Sequence, residues 1–436
     1  MLGLNLVFPP RFSDFDHASG AEFDMTTSVW RRAASLAAAT ISLVGLAACG
    51  DDDAPASADS TSQAPVIRVG ATLSLTGDFA PDSKLVRDGY QFWYEQVQAA
   101  GGITVGDTTY QLELITQDDG SNREQGVQNV EQFITIDEVD FVLAPWGSGN
   151  TAAVAPVTER YEKVTIAPLA MADSLWEQGH GHLYGVLPLA SDGMRPVVRL
   201  AESLGATSVA VVGTDDLNNT LSAQGAVDEA TALGLDVRLH ETYPEGQIDL
   251  AALISKLKNA DADLVIAVAH TSDAELLLRQ FEEQRYFPRA LSLTGAVIVP
   301  EFLESTEYVF GQTFWSPDLP VQDPLFGTAG EFATAFEERF GYRPTHDSVA
   351  SATAGYLLQY AIEQAGTLDS AAVNAVLQTL GIETVLGPVS FTADTHTNVG
   401  GGSYVVQIQD GVPTIVYPAD LSRAAPIYPA PGWDQR

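Results

Sequence analysis

The sequence predicts an α/β protein of two similar halves, each a parallel β-sheet covered by helices on both faces. Three observations predict it. From Val66 onward, short runs rich in Val, Ile and Leu alternate with longer amphipathic runs, the pattern of parallel strands joined by helical crossovers. A second set of such alternations follows from Arg195. Hydrophobic residues make up 45% of the 436-residue chain, enough apolar material for two packed domains despite a formal charge of −36.

Each element has its own signal. In the first half, strands are expected at 66–73, 110–116, 139–144 and 164–167, which are rich in β-branched and aliphatic residues and bounded by turn formers. Helical spacing places helices at 84–100, 123–135 and 151–161. The second half repeats the pattern, with strands at 208–212, 236–240, 264–269 and 290–293 and helices at 195–204, 221–233, 250–259 and 272–284. Past Gln312 the order loosens. Helices are expected at 328–340, 346–364 and 370–379, with closing strands near Val389, at 403–409 and at 413–416. Pattern alone assigns none of these to a half.

The one cysteine, Cys49, ends the run Leu46-Ala47-Ala48-Cys49. Arg31 and Arg32 precede an Ala-rich stretch interrupted by Ser35, Thr40, Ser42 and Gly45, short and weakly apolar for a permanent membrane span. A positive flank, a short apolar core and small residues before a cut site are the parts of a secretory signal. The run resembles a bacterial lipobox, which implies cleavage before Cys49, lipidation of that residue and work outside the cytoplasmic membrane. One acyl chain holds a bilayer only marginally, so the several chains that lipoproteins carry are implied. Met25 opens a complete signal peptide over 25–48, which leaves the acidic and aromatic residues 1–24 as an extension outside the native protein. Residues 49–65 carry Asp, Ser, Ala and Pro but nothing able to build a core, and are read as a flexible tether.

With 21 Lys and Arg against 57 Asp and Glu, the chain lacks the clustered cations that nucleic acid requires, and an anionic lipid surface is an equally poor partner. A single cysteine permits no internal disulfide, so packing alone must hold the fold.

The sharpest local signal is the passage from the strand at 139–144 into Trp146-Gly147-Ser148-Gly149-Asn150-Thr151-Ala152. Glycines let backbone approach a ligand closely, and the helix that follows offers free N–H groups and its positive dipole end to an anion. A plain tight turn is the other reading. Gly147 to Ala152 also fits Gly-x-Gly-x-x-Ala, but it follows the third strand of its half, whereas a dinucleotide fingerprint follows the first. Pro145 and Trp146 break the frame of a Gly-x-Ser-x-Gly elbow around Ser148. Of the seven histidines, only His180 and His182 lie close together, and a metal site there lacks further ligands. No catalytic residue, metal or cofactor is expected.

The segment Ile67 to Phe79 (Ile-Arg-Val-Gly-Ala-Thr-Leu-Ser-Leu-Thr-Gly-Asp-Phe), Asp88-Gly89 in a helix ending Ala100-Gly-Gly-Ile103, Gln117-Asp-Asp-Gly120, the Gly147 to Thr151 turn and Ile166-Ala-Pro168 follow in succession. That succession resembles the branched-chain amino-acid type of ABC-transporter substrate-binding protein, with the type I periplasmic binding fold. The resemblance spans Val66 to about Val416. It implies two Rossmann-like lobes joined by three crossovers, the first formed by 66–186 plus 314–366, the second by 187–313 plus 367–420, with 421–436 as a C-terminal tail. It further implies a small-molecule solute in the interlobe cleft, ABC permease subunits as partners and a lipid anchor in the membrane. A sensor of the same fold, signalling to a membrane partner, and a dinucleotide-binding enzyme are the alternatives.

In that family the segments matching Gly147-Ser148-Gly149 and Pro168 to Ala172, with Leu169, Ala170 and Met171 inside it, hold an amino acid's carboxylate and help hold its ammonium. This chain departs from the pattern elsewhere. Met171 stands where a hydroxyl residue is usual, Asn218 where a tyrosine is, His270 or Thr271 where an aromatic is, and Ala296 where the ammonium-pairing acid is. Burying an ammonium without a carboxylate is costly. Either Asp78, Asp82 or Asp273 substitutes for that acid, or Trp146 and Trp176, with Phe79 near the same cleft, wall a pocket for an aromatic or apolar acid. Core packing is the other reading of either tryptophan.

Overall fold

A computed structural model describes residues 64–294 and 306–432. Cys49, the signal peptide at 25–48, residues 1–24, nearly all of the tether and Ala296 lie outside the described residues.

The first sheet runs in the order β2-β3-β1-β4-β5-β6. Its strands are β1 (Val66–Leu73), β2 (Ile103–Val105), β3 (Thr108–Asp118), β4 (Phe141–Leu143), β5 (Thr165–Ala167) and β6 (Leu183–Gly185). All are parallel except β2, which forms a hairpin with β3. β1 is the centre of the sheet, with Val69 opposite Leu114 on one side and Phe141 on the other. From Val69 to Leu73 it is wholly buried, as a parallel strand covered on both faces must be. The covering helices are α1 (Ala80–Ala99), α2 (Arg123–Thr135) and α3 (Ser148–Arg160). α2 begins where expected because Asn122 caps it, accepting from Gln125 N at 2.9 Å. α3 begins three residues earlier than expected, since the Gly-Ser-Gly turn is itself the first turn of the helix.

Two short helices, α4 (Asp173–Trp176) and α5 (Ala190–Gly193), flank the first crossover between lobes. The second lobe contains α6 (Arg195–Ser203), β7 (Ser208–Thr214), α7 (Leu217–Ala232), β8 (Asp236–Tyr243), α8 (Ala251–Ala260), β9 (Leu264–Val268), α9 (Thr271–Glu283), β10 (Ala290–Leu293) and β11 (Phe310–Thr313). Asp216 caps α7, accepting from the N–H groups of Asn218 and Asn219, which starts that helix earlier than its apolar spacing shows. The sheet order is β17-β16-β11-β10-β9-β7-β8. The closing strands β16 (Tyr404–Gln409) and β17 (Val412–Tyr417) join it antiparallel. Residues 421–432 lie back along this lobe instead of trailing free: Gln407 Nε2 donates to the Ile427 carbonyl and Ala430 N to the Arg289 carbonyl.

Between the second and third crossovers lie β12 (Gln322–Asp323), β13 (Gly327–Thr328), α10 (Ala329–Phe340), α11 (His346–Ala365), α12 (Ser370–Leu377), β14 (Gly381–Thr384) and β15 (Gly387–Ser390). Residues 370–391 pack with the first lobe, not with the second as the expected break at 366 implies. Ser370 Oγ donates to the Glu162 carbonyl, Tyr184 Oη to Asn374 Oδ1, and Trp315 Nε1 to the Val385 carbonyl. Val373, Leu377, Val385 and Val389 are fully buried in the same apolar cluster as β1, so moving them to the other lobe would expose that core.

Two glycines let α1 and α11 approach closely. A Cβ on Gly89 would come within 2.3 Å of the Ser348 carbonyl oxygen, and one on Gly355 within 2.1 Å of Trp93 Cδ2. α11 is buried continuously from Asp347 to Gln359, as a helix apolar nearly all round must be.

Candidate functional site

Ligand crevices in open α/β sheets form beyond the carboxyl ends of the strands, and both sheets bring their ends to one gap. The first lobe contributes Phe79 and Asp82 at the start of α1, Arg123 at the start of α2, Trp146 to Asn150 between β4 and α3, and Leu169 and Met171 after β5. The second contributes Asp216 to Asn219, Glu245, Val268 to His270 and Thr294. Gln312, Phe314, His346 and Asp347 complete the wall at a crossover and at the start of α11. Together they surround a cavity of about 140 Å³.

Local structure explains the first-lobe edge. Gly147 adopts φ 85° ahead of α3, the left-handed region that favours glycine, and no side chain caps the helix. Ser148 Oγ accepts from the N–H groups of both Met171 and Ala172 at 3.0 Å. It thereby clips the loop after β5 to the helix, which leaves its own O–H free to donate. The apolar wall is aromatic and crosses the gap: the Trp146 ring lies 5.2 Å from Phe79 and 5.1 Å, edge to face, from His270 of the second lobe.

The polar groups form two linked sets. Thr271 Oγ1 donates to Asp82 Oδ1 at 2.6 Å. Burial pushes Asp82 up to about 6, with repulsion from Asp347 adding to the rise and the Thr271 bond and His270 opposing it. His270 Nε2 stands 3.3 Å from Asp216 Oδ2 and 3.8 Å from Glu245 Oε1. Burial pulls His270 down, but the bond and charge of Asp216, with Asp82 and Glu245, hold it above the ordinary imidazole value. Asp216 is held low against its burial by His270, Thr214 and the N–H of Asn219. On the other side, His346 Nε2 lies 3.1 Å from Asp347 Oδ1 and its Nδ1 lies 3.2 Å from Thr313 Oγ1.

Of the residues singled out from sequence, Phe79, Asp82, Trp146, Gly147, Ser148, Gly149, Leu169, Met171, Asn218 and His270 line the cavity. Thr271 stands just behind, bonded to Asp82. Asp78 is exposed and does not line it. Ala170 is buried with its carbonyl occupied by Trp176 Nε1. Trp176 packs against Gly185 in the first lobe, away from this cavity. Asp273 is not in the lining either; burial raises it, and Glu245 and Asp216 add to the rise. His182 pairs with Glu159 and His180 with Gln178; among the described residues no group of three or more His, Cys, Asp or Glu could hold a metal ion. Arg123, Asp216, Glu245, Gln312, Phe314, His346 and Asp347 were not anticipated. Asp216 had a local signal, an aspartate between a strand and a helix, where caps stand. The others had none.

Residues 66–412 match the family model described as periplasmic binding protein. The chain belongs to that family. Its periplasmic binding fold is the type I form, and its resemblance to the branched-chain amino-acid type holds in sequence as well. It is 25% identical over 385 residues to Leu/Ile/Val-binding protein homolog 7 of Brucella suis biovar 1, covering 84% of this chain and 93% of that one. Among solved structures it is similar to the branched-chain amino acid transporter substrate-binding protein LivJ of Streptococcus pneumoniae in complex with isoleucine, at TM-score 0.71 and 22% identity, covering 81% and 100% of the two chains. A solute-binding protein of an ABC transporter from Rhodopseudomonas palustris BisB5, in complex with 3,4-dihydroxybenzoic acid, also has TM-score 0.71, at 17% identity, covering 85% and 99%. These periplasmic binding proteins share the fold, two lobes around a central gap, and the family's location is extracytoplasmic.

Proposed function

We propose that the chain is a solute-binding lipoprotein of an ABC importer, which takes an amino acid or a related small organic acid or amide into the interlobe cavity and presents it unaltered to permease subunits. The observation that carries this reading is the cavity itself, walled by strand ends of both lobes and bridged by the Thr271–Asp82 hydrogen bond. Apolar rings together with a few convergent polar groups are the usual make-up of a small-molecule site. The family and the relatives named above support the class, and the neighbours' own ligands, isoleucine and a benzoic acid, support the range. The protein performs no chemistry on its solute and uses no cofactor.

A ligand that binds the folded state alone raises its melting temperature. A thermal-shift screen of amino acids, amides and organic acids is expected to find at least one stabilising solute, and a flat response across the whole set would sink the proposal. The anchor is tested apart from the site: Cys49→Ala is expected to release the protein from the membrane fraction, and its retention there would remove the lipoprotein reading.

A further inference from the structure

The cavity lining is rich in carboxylates, and each already has a protein partner. Asp82 accepts from Thr271. Asp216 faces His270 and accepts from Thr214 and from the N–H groups of Asn218 and Asn219. Glu245 lies 3.8 Å from His270, and Asp347 3.1 Å from His346. Part of the acceptor capacity of each is thus already committed within the protein, and alanine occupies position 296, where the family resemblance expects an ammonium-pairing acid.

Arg123 is the opposite case. Its guanidinium lines the cavity and takes part in no ion pair among the described residues, in a chain with 57 acidic residues against 21 basic ones. It packs directly over Gly149: a Cβ there would stand 2.7 Å from Nη2 and 3.1 Å from Cζ. The absent side chain is what lets the guanidinium lie against the first turn of α3, beside Ser148, whose hydroxyl hydrogen is uncommitted. A planar guanidinium presents paired N–H donors that match a carboxylate, and its charge persists at every physiological pH. The rings of Phe79, Trp146 and Phe314 line the same cavity.

We infer that Arg123 reads the carboxylate of the solute, and that the solute is a monocarboxylate with an aromatic or apolar body and no charged amine. This rests on the proposed solute-binding function and narrows its substrate class. Arg123 is the specificity residue, Gly149 keeps the space it occupies, and the aromatic wall takes the body of the ligand.

Calorimetric titration of the wild type, Arg123→Gln, Arg123→Lys and Gly149→Ala with benzoate, 4-methylpentanoate, benzamide and leucine tests this. The wild type is expected to bind at least one of the two carboxylates, benzoate more tightly than its neutral isostere benzamide and 4-methylpentanoate more tightly than leucine. Arg123→Gln is expected to weaken the carboxylates about 10- to 100-fold, Arg123→Lys to restore part of the loss, and Gly149→Ala to weaken them while keeping the cation. Melting temperatures without ligand separate misfolding from lost recognition. Carboxylate affinity unchanged in Arg123→Gln, or leucine or benzamide bound as tightly as the carboxylates, overturns the inference and leaves the solute-binding reading standing. Silence of the wild type toward all four compounds overturns the inference too, and the wider function falls with it only if the full solute screen is also flat.

Discussion

Thr271 and Asp82 belong to different lobes, yet Thr271 Oγ1 donates a 2.6 Å hydrogen bond to Asp82 Oδ1 with both side chains buried. The bond exists only while the lobes are together. It therefore contributes to the difference between the closed and open forms, and a ligand gripped by the closed form draws on that difference.

Thr271→Val keeps the shape and removes the donor, leaving the Asp82 carboxyl buried without it. An unsatisfied buried acceptor costs about 1–3 kcal/mol. The expected outcome is solute affinity lower by about 5- to 100-fold, measured by calorimetry. Unchanged affinity would show that the bond plays no part in closure.

Affinity should also depend on pH. Burial raises Asp82 from its ordinary 3.8 to about 6 in the closed form, while opening returns it to water. Keeping it ionised therefore opposes closure in full above about pH 6, and the opposition fades as pH falls from 6 toward 4. His270, facing Asp82, Asp216 and Glu245, is held above its ordinary value; its contribution is present below that value and is lost as pH rises through the raised one. Both groups act in the same direction. Asp82 alone should make binding stronger at pH 5.5 than at 7.5 by roughly 1 kcal/mol, a few-fold. Titrations at the two pH values check this, and Asp82→Asn should reduce the difference.

Ser148→Ala removes the acceptor of two N–H groups, that of half-buried Met171 and that of buried Ala172. Loss of stability by about 1–3 kcal/mol is expected, read as a lower denaturant midpoint with the slope unchanged. A midpoint equal to that of the wild type would mean that the loop after β5 finds other partners.

The regular elements were legible because their signals are local. Asn122 caps α2, and the apolar run at 66–73 appears as β1 at those same limits. β6, β11 and the β2 strand escaped notice because each has only three or four residues and depends on its neighbours for pairing. The boundary near 366 failed for a related reason: α12 goes with the first lobe through Asn374 and Val373, whose partners are remote in sequence. In the cavity, Trp146 and Ser148 could be anticipated from the Gly-Ser-Gly turn that follows β4, and Met171 and His270 from the family resemblance. Arg123, Glu245, Gln312 and His346 could not, because only the crossovers bring them together. Asp78 and Asp82 looked equivalent in sequence, but the first turn of α1 directs one to solvent and the other into the gap.

Asp82 stands in the first turn of α1 and Asp347 in the first turn of α11. Gly89 and Gly355 bring these helices so close that neither can slide past the other without steric conflict. The two carboxylates are thus mounted on one stiff beam, and whatever draws the second lobe onto Asp82 must carry Asp347 and its histidine along as a unit.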